Sequence, residues 1–502
     1  MENHPKRKVL LVHFNIGSTV GLNNGLTSIS AMLKREGHTV KLLLLEKKSQ
    51  LVEDVWSQVI NPILEFEPDY IGLSLVETQK SYAFHFLEVL IPYKHGYIIV
   101  GGPFPTMHPE EVLAWVGVNA VCIGEGEWPM TMLVNEGNPG PFNIWVKGEP
   151  MPLIDKPQNL MLLPPEDKKL FPLEYVIAAK GNQLEASAGR GCAYSCSYCI
   201  NRSYIEKYKL GPTVRMKNPT TVIEGEILPY VKDPRYKIER IAFIDDDFLM
   251  YERWDKMLFY SFLTEYKEKV HLPFNINTSP MTITRENLRA FKKFGGCGMR
   301  MGIESNQRLR KEVLHRPILD DTIYRVFSWA AAEGVEMSTY NMIGLPTETQ
   351  DDVMELLGIN ATLKPKYVKL MTFYPFQGTP LYEMLAKVSM IDMQKHAVLD
   401  NYETESCLMF PADQHLWLRK VQAIFPWMLN VLMHTQSMDE YRMVNLYEER
   451  IKEVLDPSID EHILEGLIES GTITQIDQML SSKTKGPHYI RKSRSLAYLK
   501  ED

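Results

Sequence analysis

Residues 189–199 read GRGCAYSCSYC and place three thiols in one short loop. Cys192, Cys196 and Cys199 follow the spacing Cys-x3-Cys-x2-Cys, directly after a predicted strand from Leu184 to Ala188. Thiolates are the ligands of iron–sulfur clusters, and such short spacings let one loop bind three corners of a cubane. The fourth iron then stays open to another ligand, as the metal of a catalytic site does.

A structural zinc ion is the alternative occupant of this loop, since three cysteines and one histidine also form a zinc site. No histidine, however, lies between Lys180 and His271 to complete a compact site. The six cysteines of the 502-residue chain are also too few for a disulfide framework. An iron–sulfur cluster with one open iron is therefore the preferred interpretation.

The cysteine loop opens a series of predicted strands that alternate with helical stretches. Apolar residues recur at helical spacing between the strands, for example from Arg285 to Phe294 and from Asp320 to Glu333. Six parallel strands of this kind form a partial (β/α)6 barrel, whose active residues lie at the carboxyl ends of the strands. The strand candidates are Leu184 to Ala188, Arg240 to Ile244, Phe274 to Asn277, Met299 to Ile303, Met337 to Ile343 and Tyr367 to Thr372.

The first part of the chain has the same alternation of strand and helix. It predicts an α/β, doubly wound, Rossmann-like domain with a parallel sheet. Ligands of such domains bind beyond the carboxyl ends of the strands, where Gly101, Gly102, Gly124 and Gly126 fall. Tight βα turns need glycine as well, so these glycines alone leave the function open. The strand candidates are Lys8 to His13, Val40 to Leu45, Tyr70 to Leu75, Tyr97 to Val100 and Ala120 to Ile123.

The cysteine motif, with the aromatic Tyr198 before its last cysteine and a parallel βα series behind it, closely resembles the radical S-adenosylmethionine superfamily. The resemblance implies a 4Fe–4S cluster whose open iron is chelated by the amino and carboxylate groups of S-adenosylmethionine. It also implies that one electron from the cluster cleaves the sulfonium to give a 5'-deoxyadenosyl radical. In this family, that radical abstracts hydrogen from a substrate carbon.

Further motifs of the superfamily recur in the expected order. Ile241 to Phe248, with Asp246 among three aspartates, resembles the end of the second strand, where the family contacts the cofactor's amino group. Met301 to Ser305 resembles the fourth-strand motif, whose polar residues approach the ribose or the carboxylate. A strand that ends in carboxylates is also a favourable helix start, so each aspartate has a purely structural alternative. The resemblance assigns to S-adenosylmethionine the residues Tyr198, Asp246, Glu304 and Ser305.

Three segments of the first part resemble the cobalamin-binding domain that precedes the radical domain in one large subgroup. They read YIGLSL at 70–75, VGGPFPTMHPEEVL at 100–113 and VCIGEGEWP at 121–129. Small residues there allow a corrinoid's nucleotide tail to approach the backbone closely. The resemblance assigns to cobalamin the residues Ser74, Gly101, Gly102, Gly124, Glu125 and Gly126.

One departure from other cobalamin proteins concerns the lower axial ligand of cobalt. The pattern Asp-x-His-x-x-Gly, which supplies a histidine there, is absent, because His13 lacks both its aspartate and its glycine. We therefore expect a cobalt without a protein imidazole from that motif, hence with a weaker lower ligand.

Four segments are expected along the chain. Residues 1–137 form the cobalamin-binding domain, 138–180 a linker rich in Pro and Gly, 181–385 the radical domain, and 386–502 a helical region. The last stretch, Ser481 to Ser495, is polar and basic and is expected to be a mobile tail.

Composition excludes several classes of partner. With 55 basic against 63 acidic residues the net charge is −8, so no overall basic field attracts nucleic acid. No apolar run approaches the ~20 residues of a membrane span, which favours a cytoplasmic protein. The remaining partners expected are a small-molecule substrate and, by the family resemblance, a flavodoxin or ferredoxin as electron donor.

The resemblance leaves three functions open. The first is methylation of an unactivated carbon of a small molecule or natural-product intermediate, in which cobalamin supplies the difficult step. The second is a radical oxidative cyclisation or ring rearrangement that uses the same cofactors without methyl transfer. The third is a non-catalytic corrinoid-binding protein, against which the three retained cysteines argue.

Overall fold

The computed structural model describes residues 4–16, 21–46, 56–93, 96–140, 142–155, 158–209, 214–399, 405–434, 441–483, 488–491 and 497–501. These residues divide into two compact units. The first contains residues 1–194, 199–275 and 376–379, and the second contains residues 195–198, 276–375 and 380–502. The four-segment division made from the sequence remains a prediction.

A six-stranded sheet forms the first part of unit one. Its strands are β1 Lys8–Phe14, β2 Thr39–Leu45, β3 Tyr70–Ser74, β4 Tyr97–Gly101, β5 Ala120–Cys122 and β6 Ile144–Val146. They lie in the order β2-β1-β3-β4-β5-β6, with β1 to β5 parallel and β6 antiparallel to β5. The five predicted strands are confirmed within one or two residues, whereas β6 falls in the predicted linker.

Helices cover both faces of this sheet. They are α1 Asn24–Arg35, α2 Trp56–Phe66, α3 Lys80–Leu90, α4 Pro103–Met107, α5 Pro109–Ala114 and α6 Glu127–Glu136. Along β1, Leu10 and Val12 belong to one apolar cluster, and Val9 and Leu11 belong to another. A strand buried on both faces is typical of a parallel sheet between two helical layers. The predicted doubly wound architecture is therefore confirmed.

The rest of unit one starts the second strand series. Its elements are α7 Leu173–Ala179, β7 Gln183–Ala186, β8 Gly189–Arg190, α8 Ile200–Tyr208, β9 Arg215–Met216, α9 Leu228–Val231, β10 Arg240–Phe243, α10 Met250–Trp254, α11 Lys256–Lys269 and β11 Phe274–Thr278, whose last residues belong to unit two. Strand β10 is parallel to β7, and β8 forms a separate antiparallel pair with β9.

A buried group of four charges holds the predicted linker in place. Lys168 Nζ lies 2.9 Å from a carboxylate oxygen of Glu166, and Lys217 Nζ lies 3.2 Å from one of Glu226. Lys217 also contacts Glu166, so each lysine faces both carboxylates. All four residues are buried, and Glu226 lies on a π-helical segment, Thr221–Ile227. We name these residues the buried charge quartet.

The second unit continues the strand series. Its strands are β12 Gly296–Glu304, β13 Glu336–Ile343, β14 Tyr367–Thr372, β15 His488–Arg491 and β16 Ala497–Glu501. They lie in the order β15-β16-β14-β13-β12, with β12 to β14 parallel. The helices are α12 Arg285–Lys293, α13 Gln307–Glu312, α14 Asp320–Ala332, α15 Gln350–Leu363, α16 Pro380–Lys387, α17 Met393–Val398, α18 Ala412–His434, α19 Tyr441–Leu455, α20 Glu461–Glu469 and α21 Thr472–Lys483. All six strands predicted for the second series are confirmed in position.

The expected mobile tail was partly wrong. Within Ser481 to Ser495, residues 481–483 belong to α21 and residues 488–491 form β15, whereas 484–487 and 492–495 lie outside the described residues. Strand β16 pairs antiparallel with both β15 and β14. Tyr489 is buried, donates from its hydroxyl to the Pro365 carbonyl at 2.6 Å and pairs through its backbone with the Asn430 side chain. These contacts hold β15 against α18 and against Pro365, which lies just before β14. Across the described part of the chain, none of the helices has the length and apolar character needed to cross a bilayer.

Candidate cofactor sites

The start of the cysteine loop is held by Asp245, which follows β10. Its carboxylate accepts hydrogen bonds from the backbone of Ala188 at 3.2 Å, from Gly189 at 2.8 Å and from the Tyr251 hydroxyl at 2.7 Å. Burial raises the pKa of Asp245 to about 6 against these donors. Residue 189 must be glycine, because a Cβ there would lie 2.1 Å from the Arg215 carbonyl. Asp245 thus has a structural role that the sequence had left open.

Asp246 contacts the loop just before Cys192 and also the helix that follows the loop. Its carboxylate accepts from the Asn201 amide at 3.1 Å and from the Gly191 backbone, while burial raises its pKa. Asn201 lies in the first turn of α8, whose N-cap is Cys199. Cys192 and Cys199 are partly exposed, and burial raises the pKa of the Cys192 thiol to about 12. The predicted contact of Asp246 with S-adenosylmethionine remains a prediction.

In unit two, the guanidinium of Arg316 lies among three residues that the sequence assigned to the cofactors, and Arg316 itself was not predicted. The three residues are Cys196, Tyr198 and Glu304. The Tyr198 hydroxyl donates to Glu304 at 3.1 Å, and Arg316 lies 3.7 Å from the same carboxylate oxygen. Arg316 also donates to the Gly302 carbonyl at 3.2 Å and to the Cys196 thiol, whose pKa burial raises and Arg316 lowers. No motif marked Arg316, because its role depends on folding that brings residues far apart in the chain together.

The end of β12 presents two polar groups suited to a cofactor. Glu304 lies at a register shift of β12 with a φ of 69°, a conformation that non-glycine residues seldom adopt. Ser305 is buried, and its hydroxyl has no hydrogen-bond partner among the described residues. Buried polar atoms are normally paired, so a hydroxyl of this kind fits a site that receives a polar ligand. Arg310 holds the segment by donating to the Ser305 carbonyl.

The donor set of the loop fits an iron–sulfur cluster in its chemistry. The three cysteines are not in disulfide bonds, and cluster binding requires such thiols. Among the described residues, no group of three or more His, Cys, Asp and Glu side chains has a geometry ready for a metal ion. The assignment of Cys192, Cys196 and Cys199 to the cluster therefore remains a prediction from the motif.

A glycine-rich cavity of about 290 Å³ lies within unit one, at the carboxyl ends of β3, β4 and β5. Ser74, Gly101, Gly102, Gly124, Glu125 and Gly126, the residues assigned to cobalamin, all line it. Gly102 has a φ of 103°, and a Cβ there would lie 2.7 Å from the Leu75 carbonyl. Apolar walls with small residues at the strand ends fit the nucleotide tail of a corrinoid.

The other wall of this cavity comes from the cysteine loop and its surroundings. Arg190, two residues before Cys192, lines the cavity together with Ile200, Asn201 and Tyr204 of α8. Arg190 is 3.0 Å from Glu125 and also pairs with Glu127, whose side chain is 2% exposed. Sequence reasoning missed Arg190 and Glu127, although both stand inside the quoted motifs, because their pairing is a tertiary contact.

His13 does not line the cavity. It lies at the end of β1, near the Asn23 amide at 3.5 Å, and burial lowers its pKa to about 4. With this lowered pKa the imidazole is uncharged at neutral pH, and its Nδ1 lies next to the Asn23 amide. The expectation of a cobalt without a protein imidazole stays a prediction.

Two family models match the chain. The B12 binding domain model matches residues 18–134, and the Radical SAM superfamily model matches residues 187–358. The first match contains the glycine-rich strand ends, and the second contains the cysteine loop and the end of β12.

Two curated relatives each match 73% of this chain. An uncharacterized methyltransferase of Pyrococcus horikoshii is 26% identical over 381 residues, which cover 73% of this chain and 78% of that protein. The anaerobic magnesium-protoporphyrin IX monomethyl ester cyclase of Rubrivivax gelatinosus is 21% identical over 388 residues, which cover 73% and 67%.

Two solved structures share the fold. The cobalamin-dependent S-adenosylmethionine radical enzyme OxsB, with aqua-cobalamin bound, has a TM-score of 0.64 at 15% identity and covers 96% of this chain and 77% of its own. The radical S-adenosylmethionine methyltransferase TsrM of Kitasatospora setae has a TM-score of 0.61 at 16% identity, with 76% of each chain covered.

The matches confirm the predicted fold class, with its parallel half-barrel, and the three predicted cofactors: a 4Fe–4S cluster, S-adenosylmethionine and cobalamin. With a B12 binding domain followed by a radical SAM domain, the chain belongs to the cobalamin-dependent radical S-adenosylmethionine enzymes.

Proposed function

We propose that this enzyme methylates an unactivated carbon of a small molecule. The observation that carries the proposal is the position of α8, which starts directly after Cys199 and lines the glycine-rich cavity through Ile200, Asn201 and Tyr204. One helix thus adjoins both the cluster loop and the corrinoid cavity. A reaction that uses both cofactors on one substrate requires them close together, and the methyltransferase relative favours methyl transfer as that reaction.

Each group of residues has a defined task in this proposal. Cys192, Cys196 and Cys199 bind three irons of the cluster, and Tyr198, Asp246, Glu304 and Ser305 bind S-adenosylmethionine. The small residues at the ends of β3 to β5 hold the corrinoid tail. The bound cofactors together supply a carbon radical and a transferable methyl group. Arg316 and Asp245 position the cluster loop rather than react.

One relative supports methylation, and another supports oxidative cyclisation as the alternative. The Pyrococcus relative is named a methyltransferase, whereas the Rubrivivax relative is a cyclase. A cyclase would use the same cofactors without transferring a methyl group. A non-catalytic corrinoid carrier would need no cluster loop.

A single-turnover experiment without substrate separates these functions. The reconstituted full chain is incubated without oxygen with cobalamin, a strong reductant and S-adenosylmethionine, and both cleavage products are quantified. Methylation predicts S-adenosylhomocysteine in an amount equal to the bound corrinoid. 5'-Deoxyadenosine without S-adenosylhomocysteine would contradict methylation and favour the cyclase. Neither product would favour the carrier.

Two further parts of the proposal concern the surroundings of the enzyme. We propose a flavodoxin or ferredoxin as the electron donor, and the cytoplasm as the compartment. Reduced flavodoxin, mixed without oxygen with the reconstituted chain and S-adenosylmethionine, should support formation of 5'-deoxyadenosine, and no product would contradict this donor.

A further inference from the structure

We propose that Arg190 couples the two cofactor sites, so that a bound corrinoid strengthens cluster binding and an assembled cluster strengthens corrinoid binding. The proposal rests on the corrinoid and cluster assignments made above. It concerns four residues that we name the arginine–glutamate cluster: Arg190, Arg215, Glu125 and Glu127.

The cavity wall contains both ends of the cysteine loop. Arg190 precedes Cys192 by two residues, and Ile200, Asn201 and Tyr204 follow Cys199 in α8. A ligand in the cavity therefore contacts the chain on both sides of the three cysteines. Restraining both ends lowers the conformational entropy that the loop loses when it binds the cluster.

Charged contacts connect the loop to the glutamates of the cavity. Arg190 donates to Glu125 at 3.0 Å and pairs with Glu127 through its other terminal nitrogen. Across the β8–β9 pair, Arg215 donates to both oxygens of Glu125 at 2.8 and 2.9 Å. Gln158 fixes Glu125 further, by donating from its backbone at 2.8 Å. Glu125 is thus held in one orientation by groups from three segments.

The contacts of Glu127 are less redundant than those of Glu125. Among the described residues, Arg190 is the cation paired with Glu127, which is 2% exposed, while Glu125 has a second arginine. Removing Arg190 leaves a buried carboxylate without this counter-charge, which is strongly unfavourable. The loss would loosen α6 at the cavity and the loop at the same time. Arg190 is therefore the residue that couples binding at the two sites.

Thermodynamic linkage makes the effect reciprocal and measurable. If the cluster increases corrinoid affinity by some factor, the corrinoid increases cluster affinity by the same factor. Typical coupling between sites is about 5-fold to 150-fold.

The test measures hydroxocobalamin affinity by anaerobic equilibrium dialysis of the full chain, with cobalt as the readout. Binding is compared before and after cluster reconstitution, and Cys199→Ala serves as a protein that cannot hold the complete cluster. We expect at least about 5-fold tighter binding to the reconstituted wild type. Competition of an iron chelator with the cluster, with and without hydroxocobalamin, should give the same factor.

Arg190→Gln and Arg190→Lys test the residue itself. Lysine retains the charge but lacks the planar guanidinium group that donates to two carboxylates at once. For both variants we expect the affinity ratio to fall below about twofold. The matched control is Arg289→Gln, which removes an exposed pair with Glu333 and should keep the wild-type ratio. If neither Arg190 variant folds, Glu127→Gln takes their place, with the same expected loss.

The outcomes separate this inference from the proposed function. Tight hydroxocobalamin binding with equal affinity in both states would overturn the coupling alone. A wild-type ratio retained in the Arg190 variants would overturn the role of Arg190. No binding in either state would overturn the corrinoid assignment, and the coupling with it.

Discussion

Lys217→Met removes one cation from the buried charge quartet and should destabilise the first unit strongly. The side chain of Lys217 is 3% exposed, and those of its partners Glu166 and Glu226 are 1% and 0% exposed. With Lys168 alone remaining, two buried carboxylates share one cation. Breaking a buried ion pair in this way costs about 3–5 kcal/mol.

Protonation of Glu226 limits this cost and gives it a pH dependence. Burial and Glu166 already raise the pKa of Glu226, and loss of Lys217 raises it further. A carboxyl whose pKa is higher in the folded than in the unfolded protein loses stability as pH rises between the two values. Protonating Glu226 costs less free energy at pH 5.5 than at pH 7.5, so Lys217→Met should destabilise the protein less at the lower pH.

Thermal unfolding followed by tryptophan fluorescence is the assay. A unit of this size shifts by about 2–4 °C per kcal/mol, so we expect a Tm lower by roughly 6–20 °C at pH 7.5 and by a smaller amount at pH 5.5. The double variant Lys217→Met/Glu226→Gln keeps the Lys168–Glu166 pair and should recover most of the loss. Lys269→Met, which removes exposed pairs with Glu224 and Glu265, is the control and should change Tm little. A loss independent of pH, or a double variant no better than the single one, would refute this reasoning.

Three further predictions concern the cysteine loop, a buried carboxyl group and the glycine-rich cavity. Asp245→Ala removes the acceptor of two backbone N–H groups and one hydroxyl, so we expect at least a several-fold faster loss of cluster iron to a chelator; an unchanged rate would show that the clamp is dispensable. Glu348, buried near the backbone of Gly344, has a pKa raised to about 8, so the folded protein loses up to about 5 kcal/mol between pH 4.5 and 8. Glu348→Gln should therefore raise Tm at pH 8 but not at pH 5, and equal shifts at both pH values would contradict the assignment. Gly102→Ala should weaken hydroxocobalamin binding at least about tenfold in equilibrium dialysis, because the left-handed backbone and the close carbonyl oppose a Cβ; wild-type affinity would exclude that constraint.

The strands were predictable because their signal is local. The bounds predicted for β14, Tyr367 to Thr372, coincide with the observed ones, and β1 extends only one residue beyond its prediction. Strand β12 starts at Gly296, three residues before its predicted start, because Gly296 and Gly298 have no side chain that would mark a strand. Apolar runs between turn residues were enough for the other predicted strands, whereas β6, β8 and β9 were not predicted.

The missing parts depend on contacts between distant residues. Strand β15 pairs with β16, and its Tyr489 contacts Asn430, 59 residues earlier, whereas its polar composition predicts a tail. The pairing of Arg190 with Glu125 spans 65 residues, and that of Arg316 with Tyr198 spans 118. The cysteine spacing identified the chemistry of the loop, but the residues that hold and tune it become visible only when the strands are placed together.

The central claim is that one chain holds both an iron–sulfur cluster on the cysteine loop and a corrinoid in the glycine-rich cavity. Metal and sulfide analysis of the full chain, reconstituted without oxygen with iron, sulfide and hydroxocobalamin and then desalted, tests it directly. We expect about four iron, about four sulfide and about one cobalt per chain, the composition of one cubane and one corrinoid. Zinc in place of iron, or a chain that retains no cobalt, would contradict it.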